Sequence, residues 1–128
     1  MAKIAHDPER EQRIVMEAIV DCYDAYEQAM GWYYYISNRL HPPFTATWIS
    51  QHPENAKTVQ VVGMAHEDDC ERELYVEIEF ESDVFSVPLN SIEPADDTDP
   101  ETLQAIGDWH YWVGQGKEFE DFTEEDYY

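Results

Sequence analysis

The stretch ELYVEIEFE, residues 73–81, alternates strictly between apolar side chains and glutamates. Successive side chains of a β-strand point to opposite faces, so the alternation predicts a strand with one buried and one solvated face. Such a strand needs partners beside it and a layer packed over its apolar face. Neighbouring stretches rich in β-branched and aromatic residues, 44–50, 57–65 and 84–94, are further strand candidates, and Pro88 indicates an edge or a strand end.

The segment before these strands predicts a long amphipathic helix. Asp7 is a favourable N-cap, and Pro8 suits the first helical position. Apolar residues then recur in steps of three and four, which predicts a single buried face. Gly31 is expected to kink or end this helix, and a further turn or a second short helix is expected to close before Pro42. The residues of the predicted face are Val15, Ile19, Cys22, Tyr26, Ala29 and Tyr33.

The end of the chain repeats the same pattern of helix initiation. Asp99 can cap, Pro100 follows it, and Glu101 lies in the first turn. The predicted fold class is therefore α+β, with an N-terminal amphipathic helix, a small antiparallel sheet or barrel, and a C-terminal helix. We expect a single domain over residues 1–117 and an acidic tail over residues 118–128. The apolar face of the last helix consists of Leu103, Ile106, Trp109 and Val113.

The charge of the chain limits its partners. It has 29 Asp and Glu residues against 7 Lys and Arg, a formal net charge of −22. This charge destabilises the compact state by self-repulsion and opposes direct nucleic-acid binding, so cations or a basic protein surface are the favoured partners. The N-terminal segment lacks the apolar core of a signal peptide, and no apolar run is long enough to span a bilayer. These features predict a cytoplasmic protein without a membrane partner.

An aromatic block, GWYYYISNRLHPPF at residues 31–44, is the densest apolar feature. A platform that stacks nucleic-acid bases is one interpretation, but the net charge opposes it. Aromatic side chains bury large areas, so we expect the block to pack the helices onto the sheet and to offset the repulsion of the acidic surface. The two cysteines, Cys22 and Cys70, are expected to be free buried thiols, with a disulfide as the alternative.

Two groups of carboxylates are candidates for cation binding. Glu67, Asp68 and Asp69 are consecutive and lie between predicted strands, where a loop lets oxygen atoms converge. Ca²⁺ takes six to eight oxygen ligands and suits such a loop, although a plain polar turn is the alternative. The second group shares one face of the predicted N-terminal helix, for which a solvated face is the simpler interpretation. Its members are Glu17, Asp21, Asp24 and Glu27.

Other metal and catalytic motifs are weak. Residues 97–108 have partial EF-hand spacing, but Thr102 occupies the position that requires glycine. His66 and Cys70 are near enough in sequence to bind a soft metal, which we retain only as a hypothesis to test. The sequence has no phosphate-binding glycine loop and no nucleophile elbow. It therefore predicts a binding protein rather than an enzyme.

Four blocks of sequence together resemble a known family. They are EQAMGWYYYISNRLHPPFTA, VVGMAHEDDCERELYVEIEF, VPLNSIEP and DWHYWVGQG, within a region from about Glu17 to Gly116. They resemble the CcbP-like family of cyanobacterial-type calcium-binding proteins, which are small, acidic and without EF-hands. The resemblance implies Ca²⁺ binding by surface carboxylates on an α+β domain with an SH3-like sheet.

The resemblance also implies a set of Ca²⁺ ligands. The family has acidic residues before the glycine of the aromatic block, before the cysteine and in the C-terminal helix, and each is matched here. Where two further acidic residues are expected after the aromatic block, this chain has Ser37 and Asn38. Asn38 retains a carbonyl oxygen but no charge, so a site using that turn is expected to be weaker. With Asp24 added from the acidic face of the N-terminal helix, the predicted ligands are Asp24, Glu27, Asn38, Glu67, Asp68, Asp69 and Asp108.

Two functions follow from the sequence. The first is a Ca²⁺ buffer or sensor that binds the ion by surface carboxylates with modest affinity. The alternative is an acidic protein that imitates nucleic acid and binds a basic protein surface. For that role, glutamates at alternate positions of the strand would lie about 6.6 to 6.8 Å apart, close to the spacing of phosphates. These glutamates are Glu73, Glu77, Glu79 and Glu81.

Overall fold

A computed structural model describes residues 6–49, 54 and 56–120. Helices precede and follow a five-stranded antiparallel sheet, which confirms the α+β class. The helices are α1 (Pro8–Arg13), a π-helical segment (Ile14–Ala18), α2 (Ala25–Ser37) and α3 (Pro100–Gly114), with 3₁₀ turns at Glu67–Cys70 and Leu89–Ser91. The strands are β1 (Phe44–Trp48), β2 (Lys57–Met64), β3 (Tyr75–Phe80), β4 (Asp83–Pro88) and β5 (Ile92–Pro94).

The N-terminal helical region is interrupted, so the prediction of one long helix is wrong. The π-helical segment ends at Ala18 with Ile19 as its C-cap, and Asp21 then has a φ of 58°, a left-handed conformation that a continuous helix does not have. The Asp24 side chain then accepts a hydrogen bond from the Glu27 backbone N–H at 2.7 Å, and the Glu27 carboxylate accepts one from the Tyr23 backbone N–H at 3.0 Å. These two bonds resemble a capping box and start α2 as a separate helix.

The break also changes which residues face the core. The predicted apolar stripe assumed a continuous helix, but Val15 and Tyr26 are 55% and 57% exposed. Ile14 and Ala18 of the π-helical segment are buried instead. Because helical phase is lost at the break, a stripe drawn across it cannot predict both segments correctly.

Gly31 lies inside α2, which continues to Ser37, so it does not end the helix. A Cβ atom at this position would collide with the backbone oxygen of Ala18 and lie 3.0 Å from the Sγ of Cys22. The missing side chain therefore allows the π-helical segment to cross α2 in close contact.

The sheet has the strand order β4-β3-β2-β1-β5 and is antiparallel throughout. Val76 and Ile78 of β3, and Leu74 just before it, have no exposed surface, which confirms the predicted alternation. Pro88 is the last residue of β4, an edge strand, as its missing N–H group predicts.

A short connection shows that this sheet is curled. The edge strands β4 and β5 are consecutive in the chain and joined only by the 3₁₀ turn Leu89–Ser91. In a flat sheet, four strand spacings would separate them by about 19 Å, whereas the chain from Pro88 to Ile92 spans at most about 14 Å. The two edges must therefore curve toward each other, although the SH3-like description stays a prediction.

The core is centred on tryptophan. Trp32, with no exposed surface, packs against Trp109 and Trp112 of α3 at ring-centroid distances of 5.1 and 5.5 Å, and against Tyr35 at 5.6 Å. The aromatic block thus packs α2 onto α3, a helix–helix contact that was not predicted. Trp32 also belongs to one core cluster with Val76 and Ile78 of β3, in agreement with the predicted packing of the helices onto the sheet. Tyr34 is the exception, because it is 50% exposed.

The predicted acidic tail begins on the surface of the domain. Phe119 packs its ring against Trp109 and Trp112 at 5.8 and 5.6 Å. Residues 121–128 of that tail lie outside the described residues, so the boundary at residue 117 stays a prediction. Within the part of the chain that the structure describes, no helix combines the length and apolarity required to cross a bilayer.

Candidate metal site

The consecutive carboxylates lie on the 3₁₀ turn Glu67–Cys70 between β2 and β3, here called the acidic turn. At its start, the Nδ1 atom of His66 accepts a hydrogen bond from the backbone N–H of Asp68 at 3.1 Å. At its end, Cys70 is fully buried and its Sγ atom accepts from the Tyr75 backbone N–H at 3.4 Å. The turn is therefore held at both ends while Asp68 and Asp69 remain exposed.

Helix α2 packs beside the acidic turn. The Tyr34 hydroxyl donates to Glu67 Oε2 at 2.7 Å, and the Tyr33 hydroxyl donates to the Ala65 carbonyl at 2.8 Å. The hydrogen bond to Glu67 raises the pKa of Tyr34, because the carboxylate stabilises the protonated phenol. Asn38, the exposed C-cap of α2, follows Tyr34 by one helical turn.

Asp24 and Glu27 lie at the opposite end of α2 from Asn38. With a rise of 1.5 Å per residue, about 20 Å separates Asp24 from Asn38 along the helix. Ca²⁺ ligands lie only about 2.3–2.6 Å from the ion, so the two ends of α2 cannot hold the same ion. Asp24 and Glu27 instead cap α2 through the hydrogen bonds described above.

Asp108 lies inside the protein, with no exposed surface. Its carboxylate accepts hydrogen bonds from the Nε and Nη2 atoms of Arg13 at 2.9 and 2.7 Å and from the Tyr35 hydroxyl at 2.6 Å. Arg10 Nε is 3.3 Å away. Two guanidinium groups thus neutralise this buried charge and connect α1 to α3.

The same network alters two ionisation equilibria. The hydrogen bond to Asp108 is the main reason that the pKa of Arg13 is raised. Burial and then the hydrogen bond to Asp108 raise the pKa of Tyr35. Both raised pKa values mean that the folded protein favours a negative Asp108, a positive Arg13 and a Tyr35 that keeps its proton.

The seven predicted ligands do not form one cluster. Among the described His, Cys, Asp and Glu residues, one group of three brings its ligand atoms within 4.8 Å of one another, and it is His41, Asp99 and Glu101. Sequence reasoning missed this group because His41 and Glu101 are 60 positions apart. The only available signals were the helix-start pattern and a histidine before two prolines, and neither predicts their contact.

The chemistry of the acidic turn fits Ca²⁺ better than a soft metal. Its donors are carboxylate oxygens, the ligand type that Ca²⁺ prefers. The thiol of Cys70, by contrast, is buried and its pKa is raised by that burial, which disfavours the thiolate needed by soft metals. Both cysteines are free, as predicted, although Cys22 is only half-buried. Residues 97–108 cannot form an EF-hand loop, because α3 begins at Pro100.

The protein is a small acidic α+β domain with an exposed turn of carboxylates. Residues 97–108, whose spacing partly matches an EF-hand, do not form an EF-hand loop. These features are typical of a non-EF-hand calcium-binding protein. A family model described as calcium binding, of the CcbP type, matches residues 12–113. The chain belongs to this calcium-binding family.

Two solved structures are similar to the chain over most of its length. One, described as the crystal structure of Anabaena CcbP, is 42% identical and has a TM-score of 0.83. The other, described as a calcium-binding protein in the calcium-binding form, is 41% identical and has a TM-score of 0.84. Each comparison covers 93% of this chain and 100% of the other. No curated protein sequence matches the chain.

These comparisons decide between the two predicted functions. They confirm the resemblance, and they identify a calcium-binding protein with Ca²⁺ as its ligand. The family is a calcium-binding family rather than an enzyme family. They do not favour the alternative of an acidic mimic of nucleic acid, and a basic protein partner stays a prediction.

Proposed function

We propose that this protein is an exchangeable Ca²⁺ buffer or sensor whose ion binds at the acidic turn. Glu67, Asp68 and Asp69 would supply carboxylate oxygens, and Asn38 is the candidate for a further oxygen from α2. The observation that carries this proposal is the hydrogen bond of 2.7 Å between Tyr34 and Glu67, which joins the turn to the second half of α2. A cytoplasmic location is part of the proposal.

The charge of the chain supplies the thermodynamic reason for binding. Bound Ca²⁺ would add positive charge to a surface where three consecutive carboxylates repel one another. A ligand that binds only the folded state stabilises it by RT ln(1 + [L]/Kd), or about 2.7 kcal/mol at a concentration one hundred times Kd. Because Asn38 is neutral and the turn is open to solvent, we expect modest affinity and rapid exchange.

The residues around the turn would orient it rather than bind the ion. The Tyr34 hydroxyl holds Glu67 against α2, and the buried Cys70 fixes the end of the turn. Asp24 and Glu27 are assigned capping roles in this proposal because they lie at the far end of α2 from Asn38. Asp108 is assigned an ion-pairing role because it is fully buried beside Arg13.

Isothermal calorimetry with Ca²⁺ on the metal-stripped protein tests the proposed site. We expect saturable binding that Mg²⁺ at equal ionic strength does not reproduce. Asp68→Asn and Asp69→Asn should each weaken the affinity by about ten-fold or more, because affinity depends on the number of charged ligands. Glu9→Gln, an exposed neutralisation on α1, is the matched control and should leave the affinity unchanged.

A second variant distinguishes Ca²⁺ binding at the acidic turn from Ca²⁺ binding at the start of α2. Asp24→Ser removes the charge but keeps a good N-cap, so it should leave both the Ca²⁺ affinity and the stability nearly unchanged. If Asp24→Ser abolishes binding while Asp68→Asn does not, the ion binds at the N-terminus of α2 and the proposal is wrong.

A further inference from the structure

A histidine and two carboxylates from distant parts of the chain meet on the surface. None of the three belongs to the acidic turn. His41 follows α2, Asp99 is the N-cap of α3 and Glu101 is in its first turn. The Nε2 atom of His41 lies 2.6 Å from Glu101 Oε1 and 3.7 Å from Asp99 Oδ2. All three side chains are about half exposed, at 52%, 48% and 54%, and therefore open to an ion from solvent.

The backbone around this group is fixed by bonds to buried groups. The His41 backbone N–H donates to the Thr102 hydroxyl at 3.0 Å, and that hydroxyl donates to the Arg39 carbonyl at 2.9 Å. Thr102 has no exposed surface. Asp99 Oδ2 accepts from the backbone N–H groups of Glu101 and Thr102 at 3.0 and 3.4 Å. The fold thus fixes the backbone positions from which the imidazole and the two carboxylates extend.

The distances suit a small metal ion. Two ligands bound tetrahedrally to Zn²⁺ at about 2.0–2.1 Å lie about 3.3 Å apart. The observed separations of 2.6 and 3.7 Å lie on either side of that value, and the three ligand atoms are within 4.8 Å of one another. Small side-chain rotations would therefore bring these atoms to the spacing of three ligands in a tetrahedral site, with water as the fourth.

We propose that His41, Asp99 and Glu101 form a second metal site, which takes a borderline divalent ion of the Zn²⁺ type rather than Ca²⁺. At the acidic turn, His66 Nδ1 is 3.5 Å from Asp68 Oδ2 but already accepts a hydrogen bond from the Asp68 backbone N–H. At the second site the imidazole nitrogen of His41 instead faces two carboxylates, and nitrogen ligands favour Zn²⁺ and its neighbours in the first transition row. The positive end of the α3 dipole opposes a cation here by at most about five-fold in affinity, an effect that two carboxylates outweigh. A bound ion would connect the segment after α2 to the start of α3.

Calorimetry with Zn²⁺ on the full chain, in saturating Ca²⁺, tests this site. Excess Ca²⁺ occupies any all-oxygen site, so the measurement does not depend on where Ca²⁺ binds. We expect one equivalent of Zn²⁺ to bind, with His41→Gln and Glu101→Gln each weakening its affinity by more than about ten-fold. His6→Gln is the matched control, because His6 also pairs with a glutamate, Glu11 at 3.1 Å, and no third ligand joins this pair among the residues that the structure describes.

Nitrogen NMR of the histidine rings locates the ion directly. On addition of Zn²⁺, we expect the Nε2 resonance of His41 to shift while that of His6 does not. Thermal unfolding of each variant without metal checks that the fold is intact. Equal Zn²⁺ affinity in His41→Gln and the unchanged protein, or loss of all Zn²⁺ binding in excess Ca²⁺, would overturn the proposal. Unchanged Ca²⁺ affinity in His41→Gln is also expected, and it separates this site from the acidic turn.

Discussion

At the scale of single residues, the carboxylates of this protein differ by what surrounds them. Asp108 is buried between guanidinium groups, whereas Asp68 is exposed on the acidic turn. Both were predicted as Ca²⁺ ligands, because sequence shows the residue type and not its partners. Arg13 is separated from Asp108 by 95 positions, so no local pattern indicates their contact.

Substitution of Asp108 should affect stability rather than Ca²⁺ binding. Asp108→Asn leaves two partly buried guanidinium groups without their counter-charge and should lower the free energy of unfolding by about 3–5 kcal/mol. Urea denaturation measures this loss. The exposed Asp97→Asn is the control and should change stability by less than about 0.5 kcal/mol. A stable Asp108→Asn variant that no longer binds Ca²⁺ would instead identify Asp108 as a ligand.

Tyr35 should make the protein sensitive to alkali. Its pKa is raised in the folded state, mainly by burial and by the hydrogen bond to Asp108. The folded state therefore keeps this proton more tightly than the unfolded state, whose phenol has a pKa of about 10. The resulting stabilisation is complete below about pH 10 and is lost as the pH rises from there toward the higher folded-state pKa.

Tyr35→Phe tests that dependence. The variant should be less stable at neutral pH by about 1.5–3 kcal/mol, because a hydrogen bond to a charged group is lost. Its stability should also fall less steeply than that of the unchanged protein above about pH 10. Urea denaturation across this pH range measures both effects, and Tyr23→Phe, at an exposed position, is the control. Parallel pH profiles for both proteins would contradict the assignment to Tyr35.

At the scale of secondary-structure elements, sequence predicted the strands better than the N-terminal helix. Alternation along β3 is a local signal, and the buried Val76 and Ile78 follow it. The helix break depends on Asp24 and Glu27, which the sequence interpreted as an acidic face because they are three apart. The same spacing also produces a cap, and only the hydrogen-bond partners distinguish the two.

The contact between α2 and the π-helical segment should not tolerate a methyl group. Gly31→Ala would push against the Ala18 carbonyl, which is backbone and cannot rotate away. We expect a loss of about 1–3 kcal/mol in the free energy of unfolding, measured by urea denaturation. Gly63→Ala in β2 is the matched control, since a Cβ there meets no atom within 4 Å. If Gly63→Ala lowers the free energy of unfolding more than Gly31→Ala does, close packing does not explain why position 31 is a glycine.

At the scale of the whole molecule, the stability of the folded state is a balance between burial of an aromatic core and repulsion from a net charge of −22. Burial of Trp32 against its neighbours on α3 stabilises the fold, and repulsion among the surface carboxylates destabilises it. Composition alone predicted this balance. The convergence of His41 with Asp99 was not predictable, because it depends on how α2 and α3 meet in the folded chain.

The stability of the metal-stripped protein should rise with monovalent salt. Raising KCl from about 0.01 M to about 0.15 M shortens the Debye length from about 30 Å to about 8 Å and screens the self-repulsion. Thermal unfolding in the presence of a chelator should therefore show a higher Tm. The uncharged solute sucrose at matched osmolarity controls for effects other than screening. A Tm that falls with KCl would mean that attractive ion pairs, such as Arg39 with Glu17 at 3.1 Å, dominate the surface.

The pairing of Arg13 with Asp108 has a consequence for the order in which the protein acquires its structure during synthesis. Arg13 leaves the ribosome early, and its buried counter-charge is made 95 positions later. Until α3 has emerged, Arg13 lacks its buried counter-charge, while the strands between them can already pair. The contact between α1 and α3 should therefore form only after the segment made last has emerged.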